Sequence, residues 1–344
     1  MRFVKRLVLV ISMTSIFALP TISTPEQNGR NRTLTFEYLF GGGSRAELDA
    51  TLTVTLRAFE FSGSAMVEDG ILVVEDELVG MVLFMPTFGS RQVESFLVKI
   101  ERKGKESRPF KPAPKLFAIE DFEGLASDRD NDVYLIGSHQ PDDGDRRIER
   151  EFLIHARWKE NKKELTFLEA NFELLKQMVS PLEEMNMTLG LTDSTIKADL
   201  NIEGLAFHED KLFIGFREPK TDDGKALMLS AYAESLFENN SNVDFKITKL
   251  DLKEAGIRAL DWDPQEKKML ILSGASKQDD GASPKLWSFD LGSRKLAEIY
   301  IFEDTDRIPE GVSRTQDGKI VVVFDLDTDQ PAEIMLLNWR SGVR

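Results

Sequence analysis

Three glutamates stand in one recurring phrase: Phe122-Glu-Gly-Leu-Ala126, Ile202-Glu-Gly-Leu-Ala206 and Pro309-Glu-Gly-Val-Ser313. A degenerate copy reads Ile257-Arg-Ala-Leu-Asp261, and a weaker one Phe61-Ser-Gly-Ser-Ala65. If the copies are equivalent, Glu123, Glu203 and Glu310 share one structural position, with Arg258 and Ser62 completing the set. Carboxylates gathered in this way repel and raise one another's pKa unless positive charge compensates them. Arg258 supplies one such charge, and a bound cation would supply the rest. Oxygen-only ligands favour Ca²⁺ or Mg²⁺, which makes Glu123, Glu203 and Glu310 candidate metal ligands. The architectural alternative is that each glutamate accepts backbone N–H bonds at a tight crossing that Gly124 and Gly204 permit. Sequence alone leaves both open.

A second set lies near the ends of strand-like runs: Asp76, His139, Arg217, Ser276 and Asp325. These differ from copy to copy, as a binding surface on a repeated scaffold would. His139, in Gly137-Ser-His139, is the candidate general acid or base, and Arg217 the candidate anion clamp. Arg258, Asp76 and Asp325 are further ligand-binding candidates. The plain alternative for each is a solvated strand end. His155 sits in an alternating strand and His208 beside a turn, so both are expected to be structural.

Much other chemistry is excluded. The chain has no cysteine and three histidines, which removes disulfides, zinc–thiolate and iron–sulfur sites and thiol nucleophiles. Asp128-Arg-Asp130-Asn-Asp132 and Asp325-Leu-Asp327-Thr-Asp329 open like a calcium loop, but lack its glycine at the sixth position and glutamate at the twelfth. Gly41-Gly-Gly43 lacks the Lys-Ser/Thr of a phosphate loop, and no Gly-x-Ser-x-Gly elbow is present. With 59 acids against 44 bases and a net charge of −15, a nucleic-acid partner is disfavoured.

The elements that must position these residues follow from the same repeat. Seven or eight residues past each anchor comes a turn, such as Asp130-Asn131, Glu209-Asp210 or Asp317-Gly318, and then an apolar run: Ile71–Val74, Val133–Ile136, Leu212–Ile214, Met269–Leu272 and Ile320–Phe324. Further strands are expected at Phe152–Trp158, Ala226–Ser230, Leu286–Asp290 and Ile334–Trp339. Small antiparallel sheets repeating at roughly 50 to 80 residues predict an all-β fold, a single β-propeller of four-stranded blades. Five blades are expected. Thr33–Phe40 and Ala50–Leu56 either complete the last blade or belong to a sixth. Inner strands line a central channel, so the glutamates would form a ring around its axis. The longest interval holds a helical insertion near residues 168–185, where Leu174, Leu175, Met178, Leu182 and Met185 share one face. Glu101–Lys115 reads as an exposed loop between blades.

The chain starts Met-Arg-Phe-Val-Lys-Arg and continues with an apolar run from Leu7 to Leu19. A basic start, a short apolar core and the small residues Thr21 and Ser23 predict a signal peptide over residues 1–23. A linker over 24–32 and a propeller domain over 33–344 would follow, without a membrane span after cleavage. Cleavage removes Arg2, Lys5 and Arg6 and no acid, so the mature chain is still more acidic. A periplasmic or secreted monomer is expected.

Asn201-Ile-Glu-Gly-Leu-Ala206, Leu212-Phe-Ile-Gly-Phe-Arg217-Glu-Pro219 and Gly224-Lys-Ala226 together resemble an uncharacterised bacterial β-propeller family, a domain of unknown function. Phe122-Glu-Gly-Leu-Ala126 with Gly137-Ser-His139, and Gly256-Ile-Arg258 with Trp262-Asp-Pro264, extend the resemblance over Phe61 to Asn338. Glu218 departs from it where a smaller residue is more usual, as does the weak first repeat. The Glu-Gly-Leu-Ala phrase is also similar to that of phytase-like, esterase-like propellers. The resemblance implies the fold and brings no established reaction. Two functions follow as expectations. One is an exported propeller that binds a ligand or protein partner at its channel mouth. The other is a Ca²⁺-dependent hydrolase of phosphate or carboxylic esters.

Overall fold

A computed structural model describes residues 7–10, 47–57, 61–68, 70–75, 81–86, 92–102, 119–162, 164–185, 199–238, 243–275, 283–303, 308–325 and 331–339. Leu7–Val10 (β1) lies in the stretch read as a leader. Glu47–Arg57 (β2) precedes the first repeat. Blade I is Phe61–Val67 (β3), Gly70–Glu75 (β4), Met81–Pro86 (β5) and Gln92–Arg102 (β6). Blade II is Phe122–Ser127 (β7), Asp132–Gly137 (β8), Leu153–Lys159 (β9) and Glu164–Asn171 (β10). Blade III is Asn201–His208 (β11), Lys211–Glu218 (β12), Ala226–Tyr232 (β13) and Lys246–Leu250 (β14). Blade IV is Gly256–Asp263 (β15), Lys268–Gly274 (β16), Lys285–Phe289 (β17) and Leu296–Ile301 (β18). Blade V is Ile308–Arg314 (β19), Lys319–Asp325 (β20) and Pro331–Asn338 (β21), completed by β2.

The inner strands pack in sequence order, β3 on β7, β7 on β11, β11 on β15 and β15 on β19, and β19 returns to β3. That closed circuit is a five-bladed propeller. β2 pairs antiparallel with β21, as Leu52 opposite Ile334 and Ala50 opposite Leu336. The expected strand at Ala50–Leu56 therefore closes the last blade, and the described residues form no sixth. Thr33–Phe40 lies outside the described residues. β6 and β10 pair in parallel and join the outer edges of blades I and II, and β1 adds to β6.

Each blade alternates its side chains between two faces, and each face is apolar because a neighbouring blade covers it. One cluster sits between blades I and II, with Phe84 and Trp158 rings 4.8 Å apart. Others fill the gaps between blades II and III, III and IV, and IV and V.

The insertion forms the expected helix, Leu174–Glu183 (α1), which buries Leu174, Leu175, Met178 and Leu182. Asn171 donates to Gln177 of α1 at 2.8 Å and to the Leu236 carbonyl at 2.6 Å, which ties α1 to the short helix Ala233–Phe237 (α2). α1 is thus a packed element of the blade II–III seam. Glu101 and Arg102, expected to open a loop, are instead the last residues of β6, and residues 103–115 of that expectation lie outside the described residues. No helix among the described residues is long and apolar enough to cross a membrane.

Candidate functional site

The repeated polar position has one backbone cause. In every blade the inner strand carries a β-bulge, with register breaks spanning Ser62, Glu123, Glu203, Arg258 and Glu310 in turn. A bulge sets two residues against one on the partner strand and re-aims a side chain out of the ladder. All five repeat residues are therefore turned together at the same height.

The glycine that follows has a separate reason. A Cβ on Gly63 would lie 2.5 Å from the Glu123 carbonyl oxygen, and one on Gly124 2.9 Å from Leu205 Cβ and 3.2 Å from the Glu203 carbonyl oxygen. A Cβ on Gly311 would stand 3.1 Å from the Ser64 nitrogen. Neighbouring inner strands thus approach too closely for a side chain, except in blade IV, where Ala259 occupies the position and is buried.

Arg258 of blade IV is the centre of the ring. Its Nη1 donates to Glu310 of blade V and lies 3.7 Å from Glu203 Oε2 of blade III. Its stem crosses Gly274, whose Cα leaves no room for a Cβ beside Arg258 Nε. Glu203 is 3% exposed, and its Oε1 accepts from Asn201 Nδ2 at 3.0 Å and Arg217 Nη1 at 2.7 Å. Arg217 comes from the end of β12 and keeps 23% of its side chain exposed. Glu123 is near enough to contribute to the field that holds Arg258 cationic. Burial and the charge of Glu203 push the Glu310 carboxyl up to about 8, against the pull of Arg258 and Arg217.

The structure thus brings together Glu203, Glu310, Arg258 and Arg217, with Glu123 within electrostatic reach. The three glutamates were expected as metal ligands. Among the described residues no group of three or more His, Asp or Glu side chains is arranged to hold a metal ion. The reason is on the ring itself: Arg258 and Arg217 supply the compensating charge, and their donors occupy Glu310 Oε1 and Glu203 Oε1.

His139 is placed differently from the expectation of an accessible acid–base group. It is 2% exposed, and its Nδ1 hydrogen-bonds the Gly137 carbonyl at 2.9 Å. Burial holds the imidazole below its usual pKa, and the charges acting on it are Glu151 and Arg146. His139 therefore belongs to the wall of the loop after β8. That loop is fixed by Ser138 Oγ donating to Asp121 and by Arg147 on Glu120 and Asp142, each at 3.0 Å. The Ser138 carbonyl also accepts from the Ile202 nitrogen at 2.8 Å, which binds the loop to blade III beside Glu203. Asp325 ends β20 as a half-buried residue. Ser62 is buried, while Asp76 and Ser276 lie outside the described residues.

Sequence reasoning missed the other end of the channel. Arg129, in the turn after β7, reaches across to Asp261 Oδ2 at 2.8 Å, the Trp262 carbonyl at 2.7 Å and the Arg314 carbonyl at 2.8 Å. The Arg314 nitrogen donates to the same Asp261 oxygen at 2.7 Å. Arg314 is fully buried, with Nε 3.4 Å from Asp263. Burial raises the Asp261 carboxyl to about 6, although Arg129 opposes the shift. The signal was in the repeat: Asp261 stands where other copies have Ala65, Ala126, Ala206 and Ser313. This network joins blades II, IV and V at that end of the inner strands. Near the same end, between blades I and II, an open cleft of about 570 Å³ is lined by Glu68, Asp130, Asn131, Arg157, Lys159 and Lys162 among others. Its charges are mixed and Arg157 is already paired with Asp132 at 2.7 Å, so the ring remains the better candidate.

No curated protein sequence matches the chain. Similar solved structures include a glucose dehydrogenase, at 13% identity and a TM-score of 0.40, covering 81% of this chain and 96% of that one. Another is the soluble aldose sugar dehydrogenase of Escherichia coli in its apo form, at 12% identity and a TM-score of 0.42, covering 83% of this chain and 97% of that one. Residues 191–289, the stretch that carries Glu203, Arg217 and Arg258, match the family described as "Protein of unknown function (DUF3616)".

Proposed function

We propose that this chain is an exported β-propeller that holds a ligand at the ring end of its channel. The observation that carries the reading is Arg217. Its partly exposed guanidinium is tied to a nearly inaccessible carboxylate, Glu203, and so connects solvent to the buried ring. Such a group can exchange its intramolecular partner for a ligand without unfolding anything. The ion-paired loop after β8 gives the mouth an ordered rim. Export rests on residues 1–23.

The test is a thermal-unfolding panel of small polar compounds on the native chain and on Arg217→Ala. The reading expects a compound that raises the native midpoint saturably and moves the variant much less. If every compound shifts both proteins equally, the mouth is not the site. The second reading, a Ca²⁺-dependent ester hydrolase, has less in its favour, since the ring glutamates are engaged by arginines and His139 is enclosed. It expects a Ca²⁺-dependent rise in midpoint that a chelator reverses and that Glu203→Gln abolishes.

A further inference from the structure

Arg258 reaches two carboxylates but bonds only one of them. Its Nη1 donates to Glu310 of blade V, and the same nitrogen lies 3.7 Å from Glu203 Oε2 of blade III. That distance is just beyond hydrogen-bond reach. Glu203 is 3% exposed. Its Oε1 accepts from Asn201 and Arg217, whereas Oε2 has no hydrogen-bond donor among the described residues. A buried acceptor left without a donor is costly, so an unmet demand stands on the blade III side of Arg258.

The hold on the guanidinium is uneven. Its stem is pinned where it crosses Gly274, since a Cβ there would stand 2.6 Å from Arg258 Cδ. Beyond that point Nε has no partner among the described residues, and Nη2 has the Ala275 carbonyl at 3.3 Å. The terminal nitrogens are therefore fixed mainly by Glu310. A small turn of the guanidinium about a stationary stem brings Nη1 within bonding distance of Glu203 Oε2.

The charge on Glu310 decides between the two arrangements, because a carboxylate binds a guanidinium more strongly than a neutral carboxyl does. Arg258 from β15, Glu203 from β11 and Arg217 from β12 all act on Glu310. Burial and the Glu203 charge prevail over the two arginines and raise its carboxyl to about 8. Glu123 of β7 acts on Arg258. Blade I has Ser62 at this position, and on Glu310's own blade Asp325 stands opposite Ile308.

We propose that Arg258 is a proton-linked switch, paired with Glu310 while that carboxylate is ionised and moved to Glu203 Oε2 when Glu310 takes up a proton. The exchange trades a bond across the blade IV–V seam for one across the III–IV seam. Both seams join inner strands that already pack together, so no blade has to move. The exchange also satisfies Glu203 from a second side, which makes Arg217 easier to release at the mouth in acid. That last consequence rests on the channel-mouth reading above; the exchange itself needs no ligand.

The test is a double-mutant cycle of Arg258→Met with Glu203→Gln, followed by urea unfolding at about pH 9.5 and about pH 6, on either side of the Glu310 value. At the lower pH the coupling should be at least about tenfold larger in the unfolding equilibrium constant, the gain of a hydrogen-bonded ion pair. In a Glu310→Gln background the coupling should be large at both pH values, because that position can no longer ionise. Equal coupling at both pH values in the native background would show that Arg258 keeps one partner. A pH dependence that persists in Glu310→Gln would assign the titration to another group and equally overturn the switch. Should Arg258→Met fail to fold, crystals of the native chain at the two pH values decide. Arg258 Nη1 within about 3.2 Å of Glu203 Oε2 at the lower pH, and beyond about 3.5 Å at the higher, upholds the switch; an unchanged position overturns it. None of these outcomes depends on the Arg217→Ala panel, so the switch and the channel-mouth reading fail separately.

Discussion

Replacing Arg258 with methionine removes the guanidinium that reaches both Glu203 and Glu310 while filling most of its volume over Gly274. Both carboxylates stay where burial put them, 3% and 9% exposed. Removing one member of a buried ion pair costs about 3–5 kcal/mol, because the partner is left charged and unpaired. With an unfolding entropy of about 2.1 cal/mol/K per residue over about 300 residues, each kcal/mol moves the thermal midpoint by about 1–2 °C, so the drop should be on the order of 5 °C or more. The penalty must depend on pH. At about pH 8 Glu310, raised to about 8, is asked to be charged, whereas near pH 5 it holds its proton and part of the loss should vanish. Urea unfolding of the native chain and Arg258→Met at these two pH values is the assay. A loss below about 1 kcal/mol at both, or one that does not shrink on acidification, would refute the view that Arg258 is the ring's compensating charge.

Gly63→Ala would push a methyl to within 2.5 Å of the Glu123 carbonyl oxygen, so chemical denaturation should show a loss of about 1–3 kcal/mol; a silent Gly63→Ala would remove the packing reason for the repeated glycine. Arg129→Ala removes the cation from the buried Asp261 carboxylate, which keeps only the Arg314 nitrogen, and the Arg129 bonds to two carbonyls; it should cost about 2–4 kcal/mol near neutral pH, with partial relief in acid. No loss by urea unfolding would show that the far end of the axis is not held by this network. Glu310 rises from 4.5 to about 8 and Asp261 from 3.8 to about 6. Both native pKa values exceed the unfolded ones, so these groups stabilise most in acid and lose that contribution as pH climbs through the native values. The native chain should therefore lose stability relative to Glu310→Gln between about pH 5 and about pH 8. A difference that stays flat, or grows in the native chain's favour, would contradict the raised pKa.

What could be read in the sequence was what the backbone repeats. The bulge and the close strand crossing recur in each blade, so a polar residue followed by glycine recurs at Glu123, Glu203 and Glu310, and even Arg258-Ala259 keeps the position while changing the residues. Turns were legible for the same reason: Gly144 and Gly224 do adopt positive φ, at 87° and 75°. The outer strands were mostly unread. Lys246–Leu250, for example, is short and half-solvated, with only Thr248 and Leu250 buried, and so carries little periodic signal. Pairings across the axis were equally hidden. That Arg258 would select Glu310 and Glu203 depends on which blades face each other, and Arg129 meets Asp261 over a separation of 132 residues. His139 shows the limit at single residues. It ends a strand, as expected, but the chain turns there with φ of 57° and folds the imidazole into the wall.

The central claim is that Arg258 of blade IV is paired with Glu310 of blade V at the ring of repeat positions. A double-mutant cycle with Arg258→Met and Glu310→Gln, followed by urea unfolding near pH 8, tests it most directly. The account predicts a coupling of at least about 2 kcal/mol, with Glu310→Gln recovering part of what Arg258→Met loses. Effects that add within about 0.5 kcal/mol would mean that the two side chains do not recognise one another.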